Sequence, residues 1–204
     1  FSNEAALYLN DLTDSHPKSY TLCTEKKRIR TKQHRDKYNF ENTKSAYEKP
    51  PRISNNFIQN KNERIYFIEK QHINKKCVIK RKIKFDDFKE IQIEYTNISR
   101  TIIDSIISPH YSGGIMNVIR VIQKTALNID EITKIICEIN PHYPYWQALG
   151  FMLSYLNKKD EEKQLRINFS KYKKVEFFLD RKYKKSWLYD DNWKIHYPPS
   201  IKDV

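Results

Sequence analysis

The hydrophobic period of this sequence changes twice along the chain, and that change decides the fold class. Ile79, Ile83 and Phe85 alternate with Lys80, Lys82 and Lys84, and Ile91, Ile93 and Tyr95 alternate with Gln92 and Glu94. A period of two is that of a strand with one face on a core. From Arg100 the spacing becomes helical. Ile102, Ile103, Ile106 and Ile107 form one stripe, Ile115, Val118, Ile119 and Ile122 a second, and Ile129, Ile132, Ile135, Ile136 and Ile139 a third. Trp146, Leu149, Phe151, Met152, Tyr155 and Leu156 form a fourth, and Pro109, Gly113-Gly114, Pro141 and Pro144 separate them. Alternation returns at Leu165, Ile167 and Phe169, at Val175, Phe177 and Leu179, and at Trp193, Ile195 and Tyr197. The order predicts an α+β fold in which small antiparallel sheet elements flank a central four-helix unit. Residues 1–12, with Ala5, Ala6, Leu9 and Leu12 at helical spacing and Ser2 as a cap, read as a helix ahead of this frame. Glu25 to Arg64 reads as loop with short strands. Residues 1–98 are thus expected to form an N-terminal helix plus a basic loop and strand lobe. Residues 99–204 are expected to form the helical core with a strand-rich tail, both within one continuous domain.

Charge is distributed unevenly over these parts. The 204 residues carry 38 Lys and Arg against 25 Asp and Glu, a formal net charge of +13. Thr101 to Asn157 holds only Arg120, Lys124 and Lys134 against Asp104, Asp130, Glu131 and Glu138, so the excess lies outside the helices. A drift toward lysine from base composition would load the helices too; clustering instead points to a basic face for DNA or RNA. Three segments supply the candidate nucleic-acid contacts: Arg28, Arg30, Lys32 and Arg35 in the run after Glu25, then Lys75 and Lys76, then Lys80, Lys82 and Lys84 on the alternating strand. Strand geometry projects the last three from one face at ~6–7 Å intervals. The nearest acids in sequence, Glu69 and Asp86, fall outside this run.

Several chemistries are excluded by what is scarce. The chain has three glycines, so no Walker loop, dinucleotide fingerprint or G-x-S-x-G elbow can be written. Cys23, Cys77 and Cys137 are odd in number and form no C-x-x-C, which reads as three buried thiols of a reducing, cytoplasmic compartment. The six histidines form no H-x-x-x-H or H-E-x-x-H, and neither a metal nor a cofactor is expected. No apolar run reaches 18 residues, so no membrane partner is expected.

Six segments together resemble a known family. Phe1-Ser2-Asn3-Glu4-Ala5-Ala6-Leu7-Tyr8-Leu9-Asn10-Asp11-Leu12-Thr13 resembles the F-S-H-x-[ST]-A-x-Y-L-H-G-L-[ST] opening of the effector domain of AbiEi-type antitoxins. Ser99-Arg100-Thr101-Ile102-Ile103-Asp104 is similar to that family's E-R-T-L-I-D helix, and Pro109, Tyr111 and Gly113-Gly114 to its R-P-x-Y-x-G-G turn. Tyr143-Pro144-Tyr145-Trp146-Gln147-Ala148-Leu149-Gly150-Phe151 is close to its Y-P-Y-x-Q-A-I-G-F segment, and Phe177 to Asp180 with Trp193 to Pro198 resemble its strand-rich tail. The resemblance spans nearly the whole chain in the same order. It departs at Asn3 and Asn10, where the family often has His, at Asp11, where it often has Gly, and at Ser99, where it has Glu.

The resemblance implies an antitoxin of a bicistronic phage-defence system that acts by abortive infection against a nucleotidyltransferase-like toxin. The family is of type IV, in which neutralisation does not require a stable complex with the toxin. Its members carry a winged helix-turn-helix ahead of this segment; the sequence opens at the first motif, so operator recognition by a winged helix is not expected of these residues. Arg100, Asp104, Gly113, Gly114, Tyr143, Pro144, Tyr145, Gln147 and Gly150 are expected to be structural carriers of the motifs, with Arg100 and Asp104 paired four apart on one helix and the glycine pair in a turn of positive φ. No catalytic residue is assigned. A metal-dependent nuclease is the rival reading, on Glu90, Glu94, Glu176 and Asp180, and a protein-protein adaptor on Tyr183, Trp187, Tyr189 and Trp193 if exposed is another.

Overall fold

A computed structural model describes residues 1–26, 38–71, 77–86, 89–181 and 186–203. The expected four helices are all present: α3 (Ile98–Ile107), α4 (Ile115–Lys124), α5 (Ile129–Ile139) and α6 (Tyr145–Tyr155), with α1 (Asn3–Leu9) ahead of them. Local chemistry starts and stops them. Asn97 and Asn128 cap α3 and α5 by accepting from the backbone N–H of Arg100 and Glu131, and Asn140 ends α5 in the left-handed conformation at φ 46°. The isoleucine stripes form one buried core that also takes Leu7 of α1 and Trp193 from the tail.

Three small sheets surround this unit. The first contains β1 (Ser19–Lys26), β2 (Phe57–Asn60) and β3 (Glu63–Gln71) in the order β1-β3-β2. The second is the hairpin of β4 (Val78–Asp86) and β5 (Lys89–Thr96), and the third orders β6 (Phe177–Phe178), β7 (Leu188–Asp190) and β8 (Ile195–Tyr197) as β6-β8-β7. The α+β class holds, but only the hairpin is purely antiparallel. β1 runs parallel to β3 and β6 parallel to β8, because in both cases the central strand pairs with a partner that is not its neighbour in sequence.

Other expectations fail for a common reason: short apolar patterns fit two periods. Leu165 and Phe169 do not alternate on a strand. They lie four apart on and beside α7 (Lys159–Asn168), both buried, while Ile167 between them is 57% exposed. Similarly α2 (Phe40–Glu48) lies within the segment expected to be loop, burying Thr43 and Tyr47 one turn apart and starting at the Asn39 cap. The cysteines also diverge: Cys77 is buried, Cys23 half-buried and Cys137 exposed.

The tail is locked onto α6 by two motif residues. Gln147 is fully buried; its Nε2 donates to the carbonyls of Val175 (2.6 Å) and Trp193 (2.5 Å), and its Oε1 accepts from the Val175 N–H (3.0 Å). Gly150 faces the Trp193 ring so closely that a Cβ would lie 2.2 Å from it. Trp193 is fully buried, with the Arg166 guanidinium 4.1 Å and the Lys174 ammonium 4.4 Å from its ring centre. This corrects its place among exposed adaptor aromatics. Tyr189 is exposed and Trp187 half-buried, while Tyr183 lies outside the described residues.

Candidate functional site

A cleft of about 1230 Å³ opens between the first sheet and the helical unit. Its walls are the ends of β1 and β3, residues 52–56, α3, the 3₁₀ turn Pro109–Tyr111, and the link between α5 and α6. At its floor three charged side chains meet. Asp104 of α3 accepts from Arg100 Nε at 2.9 Å through one oxygen, and its other oxygen lies 2.9 Å from Lys70 Nζ at the end of β3. All three side chains are nearly withdrawn from water, at 3% exposure for Asp104, 5% for Arg100 and 13% for Lys70.

α1 completes this floor. The Lys70 ammonium donates to Asn3 Oδ1 (2.7 Å) and Ser2 Oγ (3.2 Å), and Asn3 Nδ2 donates to the Asp104 carbonyl (3.1 Å) and to Ser112 Oγ (3.1 Å). The first motif is thereby bonded to the second and third across about a hundred residues of sequence. Asn10 does the same at the far end of the helix, donating to the carbonyls of Ala6 (2.7 Å) and Thr96 (2.9 Å). Asn3 and Asn10 thus each serve as side-chain amide donors at the two ends of α1. Asp11 has φ 57°, in the left-handed region that glycine occupies without strain.

Of the remaining motif residues, Tyr111, Tyr143 and Tyr145 line the cleft, and the glycine pair follows Tyr111 outside it. Gly113 and Gly114 have φ 76° and 88° and turn the chain from the 3₁₀ segment into α4, as the turn requires. Tyr111, before them, accepts from the Ser54 N–H through its hydroxyl (2.7 Å), and Ser54 Oγ donates to the Phe67 carbonyl (2.9 Å), which closes residues 52–56 over β3. Tyr143 and Tyr145 line the opposite wall with His142. Burial pushes the Tyr145 phenol up to about 12, so it stays protonated. Burial, followed by the Arg181 cation, holds the His110 imidazole down to about 4 against a bond to the Arg52 carbonyl that favours its charged form, and the Lys70 cation adds to the lowering.

The basic hairpin is separate from this cleft. Lys80, Lys82 and Lys84 are exposed on one face of β4, as the alternation predicts. The acids missing from their own strand come from the neighbouring one. Register places Glu94, Gln92 and Glu90 opposite them, with Lys80 3.2 Å from Glu94 and Lys82 3.6 Å from Glu90. The comb is therefore interspersed with carboxylate across the ladder, which corrects the reading from sequence distance alone. Ile79 and Ile91, on the other face, are 38% and 42% exposed, so the core that alternation predicts under this hairpin covers only its β5 end, where Ile93 and Tyr95 are buried. Arg28, Arg30, Lys32, Arg35, Lys75 and Lys76 lie outside the described residues.

The carboxylates proposed for a nuclease are not gathered. Glu90 and Glu94 are on the hairpin, whereas Glu176 stands beside β6 with its carboxylate 2.6 Å from His196 Nε2, and Asp180 accepts from the Arg181 N–H at 2.7 Å. Among the described residues no three His, Cys, Asp or Glu form a group able to hold a metal ion. No helix among them is long and apolar enough to cross a membrane. Compared with protein-family models, with curated proteins and with solved structures, the chain matches none.

Sequence reasoning singled out Arg100 and Asp104 but missed Lys70, Asn3, Arg52 and His110 as partners in one site. No motif in the sequence marks Lys70. The signal that could have found it is position: it ends an apolar strand, where a lysine either leaves the core or meets a carboxylate.

Proposed function

We propose that this chain is the effector part of an AbiEi-type antitoxin, which opposes a nucleotidyltransferase-like toxin without catalysis of its own. Its cleft is the effector site, and the basic hairpin adds sequence-independent affinity for DNA or RNA. The supporting observation is convergence. Four of the segments carrying the family resemblance begin at residues 1, 99, 109 and 143, yet Asn3, Arg100, Asp104, Tyr111, Tyr143 and Tyr145 bond to or line a single cleft, while the two tail segments, from residues 177 and 193, lie outside it. Motif residues needed only for folding would be spread through the core, as Gln147 and Gly150 are. The occupation of a glycine-type conformation by Asp11 supports the alignment at the position where the residues differ.

The nuclease reading is less favoured, because its carboxylates sit on different sheets. The test is the neighbouring gene. A nucleotidyltransferase-like protein whose induction arrests growth should be countered by co-expression of this chain, with no change in the toxin's level. Unrelieved arrest with the chain soluble and folded contradicts the proposal.

A further inference from the structure

The floor of the cleft carries an imbalance that its own contacts leave open. Lys70 and Arg100 bring two positive charges and Asp104 one negative, all nearly buried. With Arg52 and Glu69 on the same walls, the described lining keeps a single positive excess. Arg100 uses only Nε; its two terminal nitrogens make no hydrogen bond among the described residues, although the residue is 4% exposed and lines the cleft. A guanidinium that lines a cleft with its Nε fixed by Asp104 matches, through its terminal nitrogens, the geometry of a phosphate or carboxylate.

His110 presents the second open position. Its Nε2 is buried and has no hydrogen-bond partner. The ring bonds the Arg52 carbonyl and is held neutral, so the remaining nitrogen offers a lone pair to an incoming O–H or N–H. Tyr143, Tyr145 and His142 add planar rings to the cavity wall, and about 1230 Å³ is ample for a drug-sized molecule. One molecule that supplies an anion for the fork, a hydroxyl for the histidine and a flat ring for the tyrosines is a nucleotide.

We propose that the cleft binds a 5′-phosphorylated nucleotide, with the phosphate on Arg100 beside Lys70, a sugar hydroxyl or base N–H donated to His110, and the base against the Tyr143 and Tyr145 wall. The single positive excess fits a monophosphate rather than a triphosphate. The inference goes beyond the antitoxin reading, which needs no small ligand. Two sources share this chemistry: a free nucleotide and the 5′ end of a strand.

The experiment is equilibrium dialysis of the intact chain against 5′-AMP, GMP, CMP and UMP, the matched nucleosides, and a tetranucleotide with and without its 5′-phosphate. At least one monophosphate should bind, with its nucleoside about tenfold or more weaker. Arg52→Gln and His110→Phe should each weaken that binding about tenfold, as should Arg100→Lys, which keeps the charge and removes the fork; melting temperatures establish that each variant is folded. Tighter binding of the phosphorylated tetranucleotide identifies the strand end as the source, and equal or weaker binding identifies the free nucleotide; both support the proposal. It is overturned if no monophosphate binds at millimolar concentration, if nucleoside and nucleotide bind alike, or if Arg52→Gln and His110→Phe leave binding unchanged in folded protein.

Discussion

Two regions of this molecule pair lysine or arginine with carboxylate, and they do so in opposite environments. On the hairpin, Lys80 and Glu94 remain 66% and 41% exposed, and Lys82 and Glu90 73% and 55%. At the cleft floor, Lys70, Asp104 and Arg100 are nearly buried and tied by further hydrogen bonds to α1. Exposed pairs contribute about 0–1 kcal/mol, since water screens them and ordering long side chains opposes them. A buried pair costs desolvation to form, yet removing one partner leaves an uncompensated charge and costs about 3–5 kcal/mol. Identical side-chain chemistry thus makes a replaceable surface in one region and, in the other, a charge arrangement whose parts cannot be removed singly.

The largest expected effect follows at once. Asp104→Ala should destabilise the fold by about 3–5 kcal/mol in chemical denaturation, because it strands Lys70 and Arg100 together. A loss under about 1 kcal/mol would place the floor in the same class as the hairpin. Next is Gly150→Ala. Its Cβ would sit 2.2 Å from the Trp193 ring, which is itself held between Arg166 and Lys174, so the tail must shift. We expect about 3 kcal/mol from overpacking and a lower melting temperature, with the cleft residues unaltered.

A smaller effect depends on pH. His110 takes up its proton near 4 when folded and near the ordinary 6.5 when unfolded. Between these values the unfolded chain binds the extra proton, so stability falls as pH falls from about 6.5 to about 4, and the contribution is fully present above that window. Discounting for solvent screening, His110→Phe should flatten this part of the pH-stability curve by roughly 1 kcal/mol. Parallel curves for parent and variant would remove the imidazole from the account. The smallest stability effect belongs to the hairpin. Changing Lys80, Lys82 and Lys84 together to Gln should alter folding free energy by less than about 0.5 kcal/mol, while the slope of log K against log salt for duplex DNA falls by ~2–3. An unchanged slope would show that the cross-strand glutamates already neutralise the lysines.

Legibility in the sequence followed the length and strength of each pattern. The isoleucine stripes of α3, α4 and α5 repeat over ten or more residues, and an asparagine cap precedes two of them, so period and boundary agree. Leu165, Ile167 and Phe169 are too few to separate a period of two from one of 3.6, and α7 has mostly charged residues whose pairing, such as Glu162 with Arg166, only the helix reveals. Parallel pairing of β1 with β3 joins residues some forty apart and leaves no local trace. The site behaved likewise. The spacing of Arg100 and Asp104 was readable because helix geometry fixes it, whereas Lys70 joins them only through the tertiary fold, in which α1 contacts both α3 and β1. The hairpin carboxylates illustrate the same limit: Glu90 and Glu94 are close to the lysines across the ladder and distant along the chain.

The buried cleft, and not the exposed comb, is the region to which the proposed activity belongs. Growth protection against the proposed nucleotidyltransferase-like toxin tests this directly, using two variants whose folding is checked by their melting temperatures: Arg52→Gln combined with His110→Phe, and the triple Lys→Gln hairpin. The cleft variant should lose protection while still binding duplex DNA, and the hairpin variant should protect cells while its DNA affinity drops. Full protection by the cleft variant, with loss of protection in the hairpin variant, would contradict it.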